Sequence, residues 1–358
     1  MKIGFIGLPK SGKTTLFNAL TGSSAAVSAY STGQVGPNLA SVKVGDERVE
    51  KLAAIYRPRR KVFPTIDIVD LAGVNEGDGR SDAFSGELMK LARTGDALAI
   101  VLRNFRSDLQ GKPTPLEDLK KIEEELLLAD LIITEKRLEK IEANLKKGNG
   151  GNGVAWLKAE EKVLRMIVEA LNAGRSVREL ELDENQEFVI RCFQFLTRKP
   201  AIVILNSEEE VLGKNEELLR EIGQRYQAVE FAGKFEMELS QLDEESARAF
   251  MEDMGIKESA RDRLSALAYG ALGYISFFTV GEDEVRAWNI RRGATALDAA
   301  GTIHTDLARG FIAAECFNYE DLIATGSDKA VRSNGKFMLV GKDYLVRDGD
   351  ILSIRFNV

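Results

Sequence analysis

Gly7-Leu8-Pro9-Lys10-Ser11-Gly12-Lys13-Thr14 is a complete G-x-x-x-x-G-K-[ST] pattern. An apolar, strand-like run, Ile3 to Ile6, leads into it, and a helix-like stretch, Thr15 to Leu20, follows. A strand that passes through glycines into a helix can turn successive backbone N–H groups inward around a phosphate chain. The helix N-terminus adds its partial positive charge there. In that arrangement Lys13 reaches the β- and γ-phosphate oxygens and Thr14 sets its hydroxyl on Mg²⁺. Pro9, Lys10, Ser11, Gly12, Lys13, Thr14 and Thr15 are therefore the expected phosphate-side contacts of a nucleoside triphosphate. Mg²⁺ is the expected cofactor. The predicted fold is an α/β P-loop NTPase with a doubly wound, mostly parallel sheet.

Residues 64–74 read Pro-Thr-Ile-Asp-Ile-Val-Asp-Leu-Ala-Gly-Val, a buried strand ending in Asp70-Leu71-Ala72-Gly73. D-x-x-G at a strand end, downstream of a phosphate loop, predicts a carboxylate on the Mg²⁺ shell and a glycine whose N–H senses the γ-phosphate. Asn75 to Ser85 is rich in Gly, Asp and Ser and suits a switch loop. Val74 stands where many switch GTPases carry a water-orienting Gln. A valine cannot orient or activate water, so hydrolysis must recruit another group or remain slow.

Two near-continuous apolar runs, Ala97 to Val101 and Ala201 to Leu205, predict central parallel strands covered on both faces. The second ends in Asn206-Ser207-Glu208-Glu209. Guanine-specific switch proteins carry N-K-x-D there, the Asp accepting both N–H groups of the guanine edge. Here the base-packing lysine is Ser207 and the carboxylate, Glu209, is longer by a methylene, which weakens the preference for guanine. A plain acidic loop after a strand would read the same way, and the pattern alone leaves both standing. Ala232 and Gly233, after the strand-like Ala228 to Phe231, are expected to line the other side of the base.

The composition is that of an ordinary globular chain: 358 residues, 44% hydrophobic and 29% charged. No apolar run approaches a membrane span, and Met1 leads almost directly into the first strand, so neither membrane insertion nor a signal peptide is expected. Cytoplasmic localisation follows as the expectation. A net charge of −7 argues against a general nucleic-acid coat, DNA included. One histidine excludes a histidine-rich metal site. Cys192 and Cys316 cannot build a disulfide framework, and each lies in apolar context that predicts a buried thiol.

Leu119, Ile122, Leu126, Ala129 and Ile133 recur at three- and four-residue steps, and Leu138, Ile141 and Leu145 continue the stripe. Residues 146–153 break the helix, and Leu157, Leu164, Ile167 and Leu171 resume it. Two amphipathic helices joined by a glycine loop predict an inserted antiparallel helical hairpin. Arg57, Arg59, Arg60 and Lys61 are the densest basic cluster, suited to a solvated turn or to an rRNA contact. His304, far along the chain from the phosphate loop, reads as structural or surface-exposed.

These motifs resemble the YchF-type (Obg-like) ATPases of the translation-factor class of P-loop GTPases. The similarity rests on Leu8-Pro9, Asp70-Leu71-Ala72-Gly73, Asn206 to Glu209, and Leu128-Ala129-Asp130-Leu131 in the helical insertion. At the C-terminal end it rests on Glu284-Val285-Arg286-Ala287-Trp288, Gly293-Ala294-Thr295-Ala296, Ile303-His304-Thr305-Asp306 and Asp348-Gly349-Asp350. The last group resembles a TGS domain, a ubiquitin-like β-grasp module. The resemblance covers essentially the whole chain. It implies preference for ATP or dual use of ATP and GTP, slow hydrolysis, and association with ribosomes.

Departures from the family pattern fall in the catalytic parts. Lys10 replaces an Asn that helps place K⁺ in related hydrolases. Its ammonium either takes the cation's position or is simply solvated at the loop tip. Gln34 aligns with the Mg²⁺-binding Thr of the first switch, and Asp108 with a loop histidine. The expected domains are 1–113 and 185–273 for the nucleotide domain, 114–184 for the hairpin and 274–358 for the TGS module. The expected catalytic contributors are Lys13, Lys10 and Gly73, and the expected metal ligands are Thr14 and Asp70. The partners expected are ATP or GTP and the ribosome, with no membrane and no DNA, and a monomer is favoured. A nucleotide-binding scaffold with negligible hydrolysis is the alternative function, and a metabolic kinase a weaker third.

Overall fold

The computed structural model describes residues 1–22, 38–71, 84–107, 111–146, 153–253 and 259–357. They fall into two units, one formed by Lys2–Ala40 and Asp67–Lys257, the other by Ser41–Ile66 and Glu258–Val358 with Met1.

The first unit is built on strands β1 (Lys2–Ile6) and β2 (Asn38–Lys43), then, beyond helix α2 (Glu47–Tyr56) and strand β3 (Arg60–Val62), β4 (Thr65–Asp70), β5 (Ala97–Asn104), β6 (Ala201–Ser207) and β7 (Gln227–Phe231). The sheet order is β2-β4-β1-β5-β6-β7. β1 runs parallel to β4 and β5, and β5–β6 and β6–β7 are parallel as well. All seven residues of β6 and the first seven of β5 are buried, as strands covered on both faces must be. Helix α1 (Lys13–Thr21) follows β1, and α3 (Gly86–Arg93) precedes β5. The chain crosses from one side of β1 to the other between β4 and β5. The carboxyl ends of β1, β4, β5, β6 and β7 therefore share one edge, where doubly wound sheets bind ligands.

Helix α4 (Pro115–Lys146) spans 32 residues and serves two cores. Leu119, Ile122 and Leu126 of its first half pack on Leu98, Ile100, Leu102 and Val203 of the sheet. Leu138 and Ile141 of its second half pack against Val163, Leu164, Ile167 and Leu171 of α5 (Val154–Asn172). The hairpin is thus the outer half of a helix whose inner half is sheet cover. Asp130, fully buried, sits where the two halves meet. Its Oδ1 accepts from Arg93 at 2.7 Å and from the Leu196 N–H at 3.0 Å, and its Oδ2 from the Thr197 N–H and hydroxyl, both at 2.8 Å. That geometry gives the Leu128-Ala129-Asp130-Leu131 stretch a physical task, anchoring the insertion to the segment that enters β6. Helices α6 (Glu184–Ile190), α7 (Glu216–Gly223), α8 (Gly233–Leu239) and α9 (Glu244–Asp253) complete this unit.

The C-terminal segment of the second unit begins with α10 (Ala260–Leu272), and the unit carries a mixed sheet of order β11-β10-β12-β8-β9-β3. β8 (Tyr274–Val280) and β9 (Glu284–Arg291) form an antiparallel hairpin. Helix α11 (Ala296–Ile303), the short α12 (Thr305–Arg309), β10 (Phe311–Asn318), α13 (Tyr319–Thr325), α14 (Asp328–Ser333) and β11 (Met338–Val340) follow. The last strand, β12 (Asp350–Phe356), enters between β10 and β8, parallel to β8. A hairpin, a helix and a final parallel central strand make the β-grasp arrangement. Ala296 and Ala299 of α11 pack on one face with Phe277, Ala314 and Leu352.

The other face takes its cover from outside the C-terminal segment. Val49 and Leu52 of α2, both fully buried, join Phe278, Val285, Phe317 and Ile351 in one core. β3 pairs in parallel with β9, Arg60 opposite Glu284 and Val62 opposite Arg286. Residues 41–66, placed by the sequence boundaries with the nucleotide domain, belong to the C-terminal unit. Pattern reading assigned them by chain proximity, and burial assigns them by contact. The basic cluster lies here and carries its own counter-charges: Arg60 meets Glu284 at 2.7 Å, Arg59 meets Asp283 at 3.2 Å and Lys61 meets Glu50 at 2.6 Å.

One expectation is corrected outright. Cys316 is buried, but Cys192 is exposed, because it lies in the short turn after α6 whose apolar neighbours pack inward without it.

Candidate nucleotide-binding site

The phosphate loop leaves β1 at Gly7 and enters α1 through Gly12, whose φ of 86° is open to glycine at little cost. A Cβ at Gly7 would meet the Val101 carbonyl at 2.5 Å, and one at Gly12 would meet Asn206 Nδ2 at 2.1 Å. Both glycines of the motif are thus held by steric contact, and Gly12 by its backbone conformation as well. Lys10 also takes a left-handed φ, 62°, at an exposed position on the loop tip.

No described side chain caps α1, and its first turn carries no acidic residue. The first-turn N–H groups of a helix have no partner within the helix, so this end presents donors and partial positive charge to the sheet's carboxyl edge. Lys13 is buried and folds back, donating to the Gly7 and Leu8 carbonyls at 2.9 Å each. The ammonium thereby lies across the loop, bonded to its first two carbonyls.

Thr14 Oγ1 donates to Asp70 Oδ2 at 2.7 Å, and Asn38 Nδ2 reaches the same oxygen at 3.4 Å. Asp70 is fully buried at the end of β4. A hydroxyl and a carboxylate side by side at the start of α1 are hard oxygen donors of the kind Mg²⁺ takes. Among the described residues no group of three or more His, Cys, Asp or Glu could hold a metal by itself. That suits Mg²⁺, which usually takes one or two protein ligands and completes its shell with phosphate and water. Gly73, Val74, Gln34 and Asp108 lie outside the described residues.

On the far side of the loop, Asn206 is 4% exposed and acts as a strap. Its Nδ2 donates to the Ser11 carbonyl at 3.0 Å, and its Oδ1 accepts from the Gly233 N–H at 3.0 Å. A Cβ at Gly233 would come within 2.8 Å of that same oxygen. The end of β6 is thereby tied to the phosphate loop and to the start of α8, where Ala232 is the cap residue. Ser207 is buried beside it, accepting from Asn104 Nδ2 at 2.9 Å and donating to Glu230. Glu230, buried in β7, accepts in addition from the Gly213 N–H at 2.9 Å and Asn215 Nδ2 at 2.6 Å. Glu209 opens a short 3-10 turn and is exposed.

The expected residues therefore separate into two groups. Ser11 to Thr15, Asp70, Asn206, Ser207, Ala232 and Gly233 gather at the carboxyl edge of the sheet, with Pro9, Lys10 and Glu209 on its exposed rim. Sequence reasoning missed Asn104 and Glu230, which immobilise the loop carrying Ser207 and Glu209. The available signal was a lone acidic residue inside the apolar run Ala228-Val229-Glu230-Phe231.

A parallel sheet of this order, with a phosphate loop at its switch point and a paired Thr and Asp beside the helix start, defines a P-loop nucleotide-binding protein of the GTPase type. Residues 2–137 match the family model MMR_HSR1, "50S ribosome-binding GTPase", and residues 274–357 match YchF-GTPase_C, described as "Protein of unknown function (DUF933)". The chain is 36% identical to the Bacillus subtilis "Ribosome-binding ATPase YchF", covering 99% of both chains. It is 37% identical to the Haemophilus influenzae protein of that name, over 100% of this chain and 99% of the other. It is also 33% identical to the rice (Oryza sativa) "Obg-like ATPase 1", over 100% and 92%. The Schizosaccharomyces pombe YchF GTPase structure superposes with a TM-score of 0.85 at 29% identity, covering 99% of this chain and 97% of that one. The chain belongs to the YchF family. Among the described residues no helix is long and apolar enough to cross a membrane.

Proposed function

We propose that this protein is a slow, Mg²⁺-dependent nucleoside triphosphatase that favours ATP and works as a switch on ribosomes in the cytosol. The observation that carries the proposal is the uncapped start of α1 beside the Thr14–Asp70 pair, with Lys13 buried across the loop. On binding, Lys13 exchanges the Gly7 and Leu8 carbonyls for β- and γ-phosphate oxygens, while the first-turn N–H groups of α1 bond the chain of phosphates. Thr14 and Asp70 would hold Mg²⁺, which supplies neutralising charge to the phosphates when bound. Lys10, at the exposed tip, would supply a fixed positive charge where relatives recruit K⁺. The Gly73 N–H would sense the γ-phosphate.

The base preference rests on Ser207 and Glu209. The Ser207 hydroxyl is engaged between Asn104 and Glu230 and offers no flat aliphatic surface to a base, unlike the lysine of N-K-x-D. The Glu209 carboxylate, one methylene longer than Asp, cannot keep the same bidentate register on guanine. Slow turnover rests on Val74, which cannot position water, and the same residue supports the second reading, a binding scaffold with negligible hydrolysis. Ribosome association is proposed from the relatives named as ribosome-binding ATPases.

Single-turnover hydrolysis with the purified full-length chain, ATP against GTP, tests the enzymatic part. Slow Mg²⁺-dependent ATP cleavage that is indifferent to exchange of K⁺ for Na⁺ is expected. A hundredfold preference for GTP in competition binding would reject the base assignment, and strong K⁺ stimulation would reject the role of Lys10. Absence of cleavage with binding intact would leave the scaffold. Co-sedimentation with ribosomes that fails for every nucleotide state would remove the translation assignment.

A further inference from the structure

Glu230 is a carboxylate inside an otherwise apolar stretch of β7, between Val229 and Phe231, and it is 7% exposed. Its Oε1 accepts from the Ser207 hydroxyl and from Asn215 Nδ2, the latter at 2.6 Å, and its Oε2 accepts from the Gly213 N–H at 2.9 Å. One buried carboxylate thus holds both ends of the loop that carries Glu208 and Glu209.

Burying a charge is costly unless donors surround it, and these three donors all come from positions 207–215. The pairing of β6 with β7, in which Leu205 stands opposite Glu230, runs through the backbone and makes no demand for a carboxylate. What the buried charge secures is the conformation of the loop.

The loop's own residues fit that task. Gly213 offers its N–H from a left-handed φ of 75°, and a Cβ there would meet no atom within 4 Å, so backbone conformation and not space calls for the glycine. Asn215 Nδ2 donates to the Val211 carbonyl at 2.9 Å as well as to Glu230. Asn104 Nδ2 donates to Ser207 Oγ at 2.9 Å, and Glu208 Oε1 accepts from the Arg106 N–H. Glu209, by contrast, is exposed, and its carboxylate makes no ion pair among the described residues. Its place is set by the loop backbone, and the loop backbone is set by Glu230.

We propose that Glu230 is a positioning residue for base selection: by clasping the 207–215 loop it fixes where the Glu209 carboxylate meets the edge of the nucleotide base. The role rests on the reading of Asn206 to Glu209 as the base loop. Strand β7 then serves the base twice, through Glu230 on the loop side and through Ala232-Gly233 on the other. Phosphate contacts lie at the start of α1 and take no part. Loosening the clasp therefore costs the favoured base its advantage and leaves the contribution common to all nucleotides in place.

The test is calorimetric titration of the full-length chain with Mg²⁺ and non-hydrolysable analogues of ATP, GTP, CTP and UTP, for wild type, Glu230→Ala and Glu230→Gln. In wild type the tightest and the weakest measurable nucleotide should differ by about tenfold or more. In Glu230→Ala that ratio should shrink at least fivefold, through loss at the tightest nucleotide, while the weakest stays within about twofold. Glu230→Gln keeps one acceptor oxygen for Ser207 and Asn215 but sets an amide against the Gly213 N–H, so its ratio should fall between the two. It also decides the question if the alanine variant does not fold. Equal weakening of all four nucleotides would mark a purely structural residue and overturn the proposal. So would an unchanged ratio, or a wild-type chain that binds all four alike. Absence of binding of any nucleotide to wild type would remove the nucleotide site itself, and this role with it.

Discussion

Replacing Asn206 by Ala removes a side chain that joins the phosphate loop to the start of α8. The amide is 4% exposed and makes two hydrogen bonds, both at 3.0 Å, to the Ser11 carbonyl and from the Gly233 N–H. Each bond contributes about 1 kcal/mol net, but a buried partner left unsatisfied costs about 1–3 kcal/mol. With partial relaxation of both partners, a loss of about 2–4 kcal/mol in stability is expected. The effect on ligand binding follows from geometry. The Ser11 carbonyl is no longer held, the loop samples other conformations, and the affinity for Mg·ATP should fall about tenfold, or about 1.4 kcal/mol. Asn206→Asp discriminates the two bonds. A carboxylate still accepts from Gly233 but sets an oxygen against the Ser11 carbonyl, and it brings negative charge towards the triphosphate. It should therefore lose less stability than the Ala variant and more affinity. Urea denaturation and calorimetry measure the two quantities separately. An Asn206→Ala protein within about 0.5 kcal/mol of wild type with unchanged affinity would refute the strap.

Asp130→Ala removes the shared acceptor of the half-buried Arg93, the buried Leu196 N–H and Thr197, so a loss of about 3–5 kcal/mol in chemical denaturation is expected, and a change below about 1 kcal/mol would contradict the anchoring role. Thiol labelling of the native chain should modify Cys192 alone. Cys316 is fully buried, burial pushes its thiol up to about 12, and it should react only after unfolding. Thr295→Ala removes the cap of α11, with an expected cost of about 1 kcal/mol at neutral pH. The Thr295 N–H and hydroxyl hold the Asp298 carboxyl below its usual range, so that part of the stability is present above about pH 4 and is lost as pH falls through the lower folded value. The difference in melting temperature between variant and wild type should therefore narrow in acid.

The nucleotide-binding half of the fold was readable because its signals are local. Strands β1, β5 and β6 are each centred on an apolar run, and the loop that follows β1 carries its ligand chemistry in eight consecutive residues. Helix α4 was readable from its stripe, but not its double use. One period describes both a sheet-facing and a helix-facing stretch, and only the buried Asp130 marks the division. The membership of residues 41–66 was not readable. Val49 and Leu52 look like any amphipathic helix, and nothing local says that their partners are Phe278 and Ile351, far along the chain. Glu230 escaped for the same reason, since its partners Ser207, Gly213 and Asn215 converge only when β6 and β7 pair. Cys192 misled because apolar neighbours predict burial on average, whereas a short turn can leave a single side chain outside.

The central claim is that the loop at Gly7–Thr14 binds a triphosphate through Lys13. Calorimetric titration of Mg²⁺ and a non-hydrolysable ATP analogue into the wild-type chain and into Lys13→Ala tests it directly. Lys13 donates to the Gly7 and Leu8 carbonyls, and the substitution removes the ammonium while leaving both loop glycines unchanged. A drop in affinity of at least tenfold, about 1.4 kcal/mol or more, is the expected result. Equal affinity in the two proteins, or no saturable binding to the wild-type chain, would contradict the account.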